Sequence, residues 1–138
     1  LFSNNAIAMN LQMQIKELCA FNVRANQEFL QSLDQASAEL WKEKLDSNFS
    51  DIHRGIQQIV SANGSLMELT DTETIFTNLV SRAEALLHYV NDLPEASLKE
   101  ELQFHIPCEG KVKMSRYDWI QQIVVHSAYK RGLVQIIS

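Results

Sequence analysis

Apolar side chains recur along this chain at two spacings, and the switch between them predicts its elements. From residue 11 to 33, Leu11, Ile15, Leu18, Ala25, Phe29 and Leu33 fall on one stripe of a helix that turns every 3.6 residues. Residues 34–46 read as a more polar connector with a helical fragment of its own, in which Leu40, Trp41 and Leu45 cover one end of a core. Residues 48–51 offer short polar side chains able to accept from the free amides of a first turn, so a second helix is predicted to begin there. Its stripe is Ile52, Ile56, Ile59, Val60, Leu66 and Met67, weakened locally by Gly55 and Gly64. Residues 71–73 give a third start signal, followed by the stripe Ile75, Phe76, Leu79, Ala83, Leu86, Val90 and Leu93, which Pro94 stops.

The period then changes from helical to twofold. Residues 102–106 alternate apolar and polar, Pro107-Cys108-Glu109-Gly110 has turn chemistry, and residues 111–114 alternate again, which predicts a hairpin. Ser115 is placed to cap a final helix whose inward side carries Trp119, Ile120, Ile123, Val124, Ser127, Val134 and Ile137. The predicted fold is all-α, a four-helix bundle with a short β-hairpin before the last helix. Asn22 and Asn26 fall on the inward stripe of the first helix. A buried amide must find hydrogen-bond partners, so this pair is expected to join a polar network that sets how that helix sits.

A length of 138 residues suits one domain, expected over residues 9–138, with residues 1–8 a loose or extraneous arm ahead of Met9. The formal charge of −5, with no basic cluster, argues against nucleic acid as a partner. Cys19 and Cys108 have neither metal-site nor disulfide-framework spacing, so free thiols are expected. No apolar run approaches the roughly 20 residues that span a bilayer, and the expected location is cytoplasmic.

The last helix holds the segment with most chemical content, His126-Ser127-Ala128-Tyr129-Lys130-Arg131-Gly132. His126 and Lys130 lie within about 40° of each other on the wheel and near the middle of the apolar stripe, not on its rim, where a charged form is costly without a partner or a wet pocket. One reading is a polar pocket; the other is a core histidine beside a lysine that snorkels outward. His88 falls opposite its stripe and His105 can take either face of its strand. His53 with Gln57 makes a poor metal site without further donors. No Glu-x-x-His pair, glycine-rich phosphate loop or nucleophile elbow is present.

The same segment resembles the signature of the DinB/YfiT-like superfamily, in which a histidine, three residues and a second histidine precede Arg-Gly-Gln. Phe21-Asn22-Val23-Arg24-Ala25-Asn26 is similar to the aromatic-Asn-x-x-Ala-Asn segment of that family's first helix. Phe49-Ser50-Asp51-Ile52 through Gln58-Ile59-Val60-Ser61-Ala62-Asn63 resembles its second, and the hairpin also fits. The resemblance runs from Met9 to the C-terminus and implies a four-helix bundle, commonly dimeric, with a divalent metal on three histidines. Characterised branches are thiol S-transferases and hydrolases of small thiols. Residue by residue, the helix 2 ligand falls at Gln58, the first helix 4 ligand at His126 and the second at Lys130, while Leu133 replaces the usual Gln after Arg131-Gly132. A protonated lysine has no lone pair, and an amide oxygen substitutes poorly for imidazole at zinc or nickel.

The expectation is therefore a degenerate metal site without a bound metal, its pocket formed by Gln58, His126, Lys130 and Asn22, in a non-catalytic ligand-binding or interaction protein. The alternative is a metal-dependent thiol S-transferase or hydrolase, with zinc or nickel at His126 and missing ligands recruited from His53 or Asp51. A third possibility is a metal-free enzyme using Lys130 as base or nucleophile. A homodimer is expected from the family habit. Gln58 lies off the centre of its apolar stripe, so only the resemblance assigns it to the pocket; family members also usually continue beyond the point where this chain ends.

Overall fold

The computed structural model describes residues 10–33, 38–62, 75–106 and 109–137. The expectations for residues 1–8 and 71–73, and for Gly64, Leu66, Met67 and Cys108, lie outside them. The described residues are mostly helical, with a two-stranded antiparallel hairpin before the last helix.

Helix α1 spans Leu11–Ser32 and buries Ile15, Cys19, Asn22, Val23, Asn26 and Phe29 along one face. Its start is held twice. Asn10 Oδ1 accepts from the Met13 amide at 2.9 Å, and the Glu95 carboxylate accepts from the amides of Leu11 and Gln12 at 3.0 and 3.1 Å. Between them these acceptors satisfy three of the donors that a helix N-terminus leaves free, and a negative charge there is favoured by the helix dipole.

Helix α2 spans Ala38–Ala62 without a break. The structure therefore corrects the predicted start at residues 48–51. Leu45, Phe49, Ile52, Ile56 and Ile59 are all buried and continue one stripe through the polar run, so the core contacts hold the backbone helical where local capping chemistry suggests a boundary. Asn48, read as a cap, instead donates to the Lys44 carbonyl one turn back at 2.7 Å.

Helix α3 spans Ile75–Asn91, and a further short helix, α4, covers Glu95–Lys99. Pro94 does end α3's pattern, but it also precedes α4 directly, where the missing amide of a proline costs nothing. Five residues with only Leu98 buried carry no periodicity to read, which is why α4 escapes the sequence pattern.

Strands β1 (Glu101–Ile106) and β2 (Gly110–Ser115) pair with Phe104 opposite Val112 and His105 opposite Lys111. Gly110 has φ +80°, a conformation that favours glycine at this turn. Helix α5 spans Arg116–Ile137, and Ser115 Oγ accepts from the Asp118 amide at 3.0 Å, the cap that its sequence predicts.

Helix α1 packs against α3 and α5, and α2 packs against the same two. Hydrogen bonds between them give the directions. Tyr117 donates to Gln14 and Arg131 to Asn22 and Asn26, so α1 and α5 run parallel. Gln12 bonds near the end of α3 and Asn26 bonds Leu79 near its start, so α1 and α3 are antiparallel. The shared core is built from Ile15, Phe29, Phe49, Ile56, Leu86 and Ile120, among others. Phe104 carries the hairpin into it, stacked on Trp119 with ring centroids 4.2 Å apart and planes 5° from parallel.

Candidate functional site

A cavity of about 330 Å³ opens between α2, α5 and the end of β1. Close approach of the two helices forms its floor. The Trp119 indole donates to the Gly55 carbonyl at 3.0 Å, and a Cβ placed on Gly55 would lie 3.4 Å from Ile123 and 3.5 Å from the Trp119 ring. Ile52, Ile106, Ile123 and Trp119 supply apolar lining. From α5, Gln122, His126 and Lys130 line the cavity at intervals of four residues, joined by Tyr129. From α2 come Asp51, Arg54 and Gln58, and from β1, His105.

Three of the four residues expected at the pocket thus meet in one cavity: Gln58, His126 and Lys130. The Gln58 amide is committed there. Its Nε2 donates to the His105 carbonyl at 3.0 Å, and its Oε1 accepts from the His105 amide at 2.9 Å. A single side chain therefore satisfies both polar groups of one peptide position on β1, as a neighbouring strand would, and fastens the hairpin to α2. Imidazole cannot make this fork, since its two nitrogens diverge.

His126 and Lys130 do not sit in the middle of α5's inward stripe. His126 is exposed and Lys130 half-buried. The centre belongs to Ile120, Ser127 and Arg131, all buried. Both polar members are satisfied there, Ser127 Oγ donating to the Ile123 carbonyl at 2.9 Å and Arg131 to two asparagines. Leaving Arg131 out of the inward stripe shifts its apparent centre towards Trp119 and Ile123, and so towards His126 and Lys130.

Asn22, the fourth residue expected at the pocket, is not among its lining residues. It is buried between α1 and α5, where Arg131 Nη1 donates to Asn22 Oδ1 at 3.0 Å and to Asn26 Oδ1 at 2.6 Å. Asn26 Nδ2 in turn donates to the Leu79 carbonyl at 3.1 Å, tying in α3. The polar network expected of the two asparagines is present, and its hub is an arginine whose charge burial disfavours.

His53 also lies away from the cavity. It is 6% exposed, its Nε2 has no hydrogen-bond partner among the described residues, and burial first, then the charge of Arg82, push its imidazole down to about 3. At neutral pH it is uncharged. His88 is exposed, as its place opposite the stripe predicts. Cys19 is fully buried, and burial pushes its thiol up to about 12, which removes it as a nucleophile.

Asp51 shares the cavity with His126, but its carboxylate is bound to Arg54 at 3.2 Å across an exposed pair. Among the described residues no group of three or more His, Cys, Asp or Glu side chains could hold a metal ion. Among them, too, no helix is long and apolar enough to cross a membrane. Arg54, Gln122 and Tyr129 are cavity residues that sequence reasoning missed. Tyr129 and Gln122 were legible in principle, since both stand within one turn of His126 on a helix.

No protein-family model, curated protein or solved structure matches the chain.

Proposed function

We propose that this chain is a DinB/YfiT-like four-helix bundle with a degenerate metal position, acting as a ligand-binding protein without catalysis. The observation that carries the reading is the state of Gln58. This residue stands where the family resemblance puts a histidine ligand, it lines one cavity with His126 and Lys130, and its amide is spent in the fork to His105. Lys130, at the second replaced position, brings an ammonium that repels a cation. Of the three family ligand positions one imidazole, His126, then remains, and one is too few to hold zinc or nickel tightly.

The pairwise packing of α1, α2, α3 and α5 supports the bundle. A homodimer belongs to the same proposal, supported by Phe21 on α1 and Val125 on α5, which are 51% and 59% exposed.

Isothermal calorimetry with zinc and with nickel tests the reading. Affinity weaker than micromolar is expected, little changed in His126→Ala. Sub-micromolar binding that His126→Ala abolishes would overturn it in favour of a metal-dependent thiol transferase or hydrolase. Asp51, in the same cavity as His126, is what favours that second reading.

A further inference from the structure

Resting on the reading that this cavity binds a ligand, we infer that its occupant is a small organic anion with an apolar body, the acidic group held at Lys130. The cavity is lined by two sets of polar side chains over an apolar floor. Gln58, fastened to β1, stands with Trp119, stacked on Phe104, in a rigidly held part of the wall. Helix α5 contributes Lys130, His126 and Tyr129. The floor is Ile52, Gly55 and Ile123.

Charge decides the class of ligand. The protein carries a net −5, yet its cavity lining holds two cations, Arg54 and Lys130, against a single carboxylate, Asp51. That carboxylate is already paired with Arg54. Lys130 forms no ion pair among the described residues, although it is half-buried, and neither His126 nor Tyr129 has a hydrogen-bond partner among them. A half-buried ammonium without an ion pair among the described residues, in a cavity with apolar lining, fits a carboxylate, sulfonate or phosphate ester. A cationic ligand would meet Lys130 with no free carboxylate to offset it. A cavity of about 330 Å³ suits a body of two or three rings or an equivalent chain.

Fluorescence titration with two probes of one shape tests this: 1-anilinonaphthalene-8-sulfonate, and N-phenyl-1-naphthylamine, which lacks the sulfonate. Both are run with chelator present, on wild type, Lys130→Met, Lys130→Arg and Lys99→Met, each first shown by circular dichroism to retain its helicity. The sulfonate is expected to bind saturably at one site per chain, at least fivefold more weakly in Lys130→Met and within twofold of wild type in Lys130→Arg and Lys99→Met. The neutral probe is expected to bind at least fivefold more weakly than the sulfonate and to ignore Lys130. Equal affinity for both probes, no saturable binding, or a sulfonate affinity unchanged in Lys130→Met would overturn the inference. Because the chelator removes metal from these titrations, tight zinc binding by calorimetry would sink the non-catalytic reading without touching this result.

Discussion

His53 concentrates the residue-scale consequences of burial. Its imidazole ordinarily titrates near 6.5 but is pushed to about 3 in the folded protein. Between those values the unfolded chain holds a proton that the folded chain does not, so stability is complete above about pH 6.5 and falls as the pH drops through the interval. One such proton gives a slope of about 1.4 kcal/mol per pH unit. Denaturant titrations at pH 7, 5.5 and 4 are expected to show that loss in wild type and a shallower one in His53→Leu; identical slopes would mean that His53 is solvated. Arg131 is the opposite case, a buried charge whose Nη1 donates to two buried amide oxygens. Arg131→Met removes the donor to both Asn22 and Asn26. Leaving two buried acceptors unpaired costs about 1–3 kcal/mol each, so a loss of at least about 2 kcal/mol is expected in a denaturant titration. The asparagines announce this network in the sequence by standing on an apolar stripe, whereas the arginine that completes it enters the sequence reading only as part of the Arg131-Gly132 pair, with no sign of its partners.

At the scale of elements, the α2–α5 crossing and the hairpin anchor set the shape of the cavity. Gly55 is helical and buried, and an added Cβ would arrive at ordinary contact distance from Ile123 and Trp119. Gly55→Ala is therefore expected to stabilise the protein by about 0.5–1 kcal/mol through helix propensity, read as a rise in Tm. A fall would mean that the crossing tolerates no added atom. The hairpin depends on Gln58 in a different way. Gln58→Leu keeps the side-chain bulk but removes both bonds to His105, and a stability loss of about 1 kcal/mol is expected with selectively faster hydrogen exchange at the His105 amide. Unchanged exchange there would show that β1 is held by Phe104 alone. Glycine and glutamine at these positions look in the sequence like a flaw in a helix and an off-stripe polar residue. Their partners lie 64 and 47 residues away, beyond any periodicity.

For the whole molecule, the proposed loss of the metal can be run backwards. Gln58→His with Lys130→His would restore a three-histidine set beside His126 and is expected to raise zinc affinity at least tenfold in calorimetry. That gain comes at the expense of the hairpin anchor, so metal-free stability should fall, and only the loaded protein should recover it. No gain in affinity would mean that these three positions do not converge. The proposed dimer makes a separate prediction, that sedimentation at micromolar concentration shows two chains and that Val125→Arg yields one. A wild-type monomer would remove it.

Helical stripes, the twofold alternation before the last helix and the Ser115 cap were legible because each is a local regularity, repeated over a few turns and independent of what packs against it. By themselves they determined a mostly helical chain with one late hairpin. Tertiary structure decided the rest. The continuity of α2 through residues 48–51, the rotation of α5 that buries Arg131 and turns His126 outward, and the joining of Gln58 to β1 all depend on which surfaces meet. A side chain's cost of burial is set by its partners, and for Arg131, Gln58 and Asn22 those partners sit on other elements, where no spacing along the chain can show them.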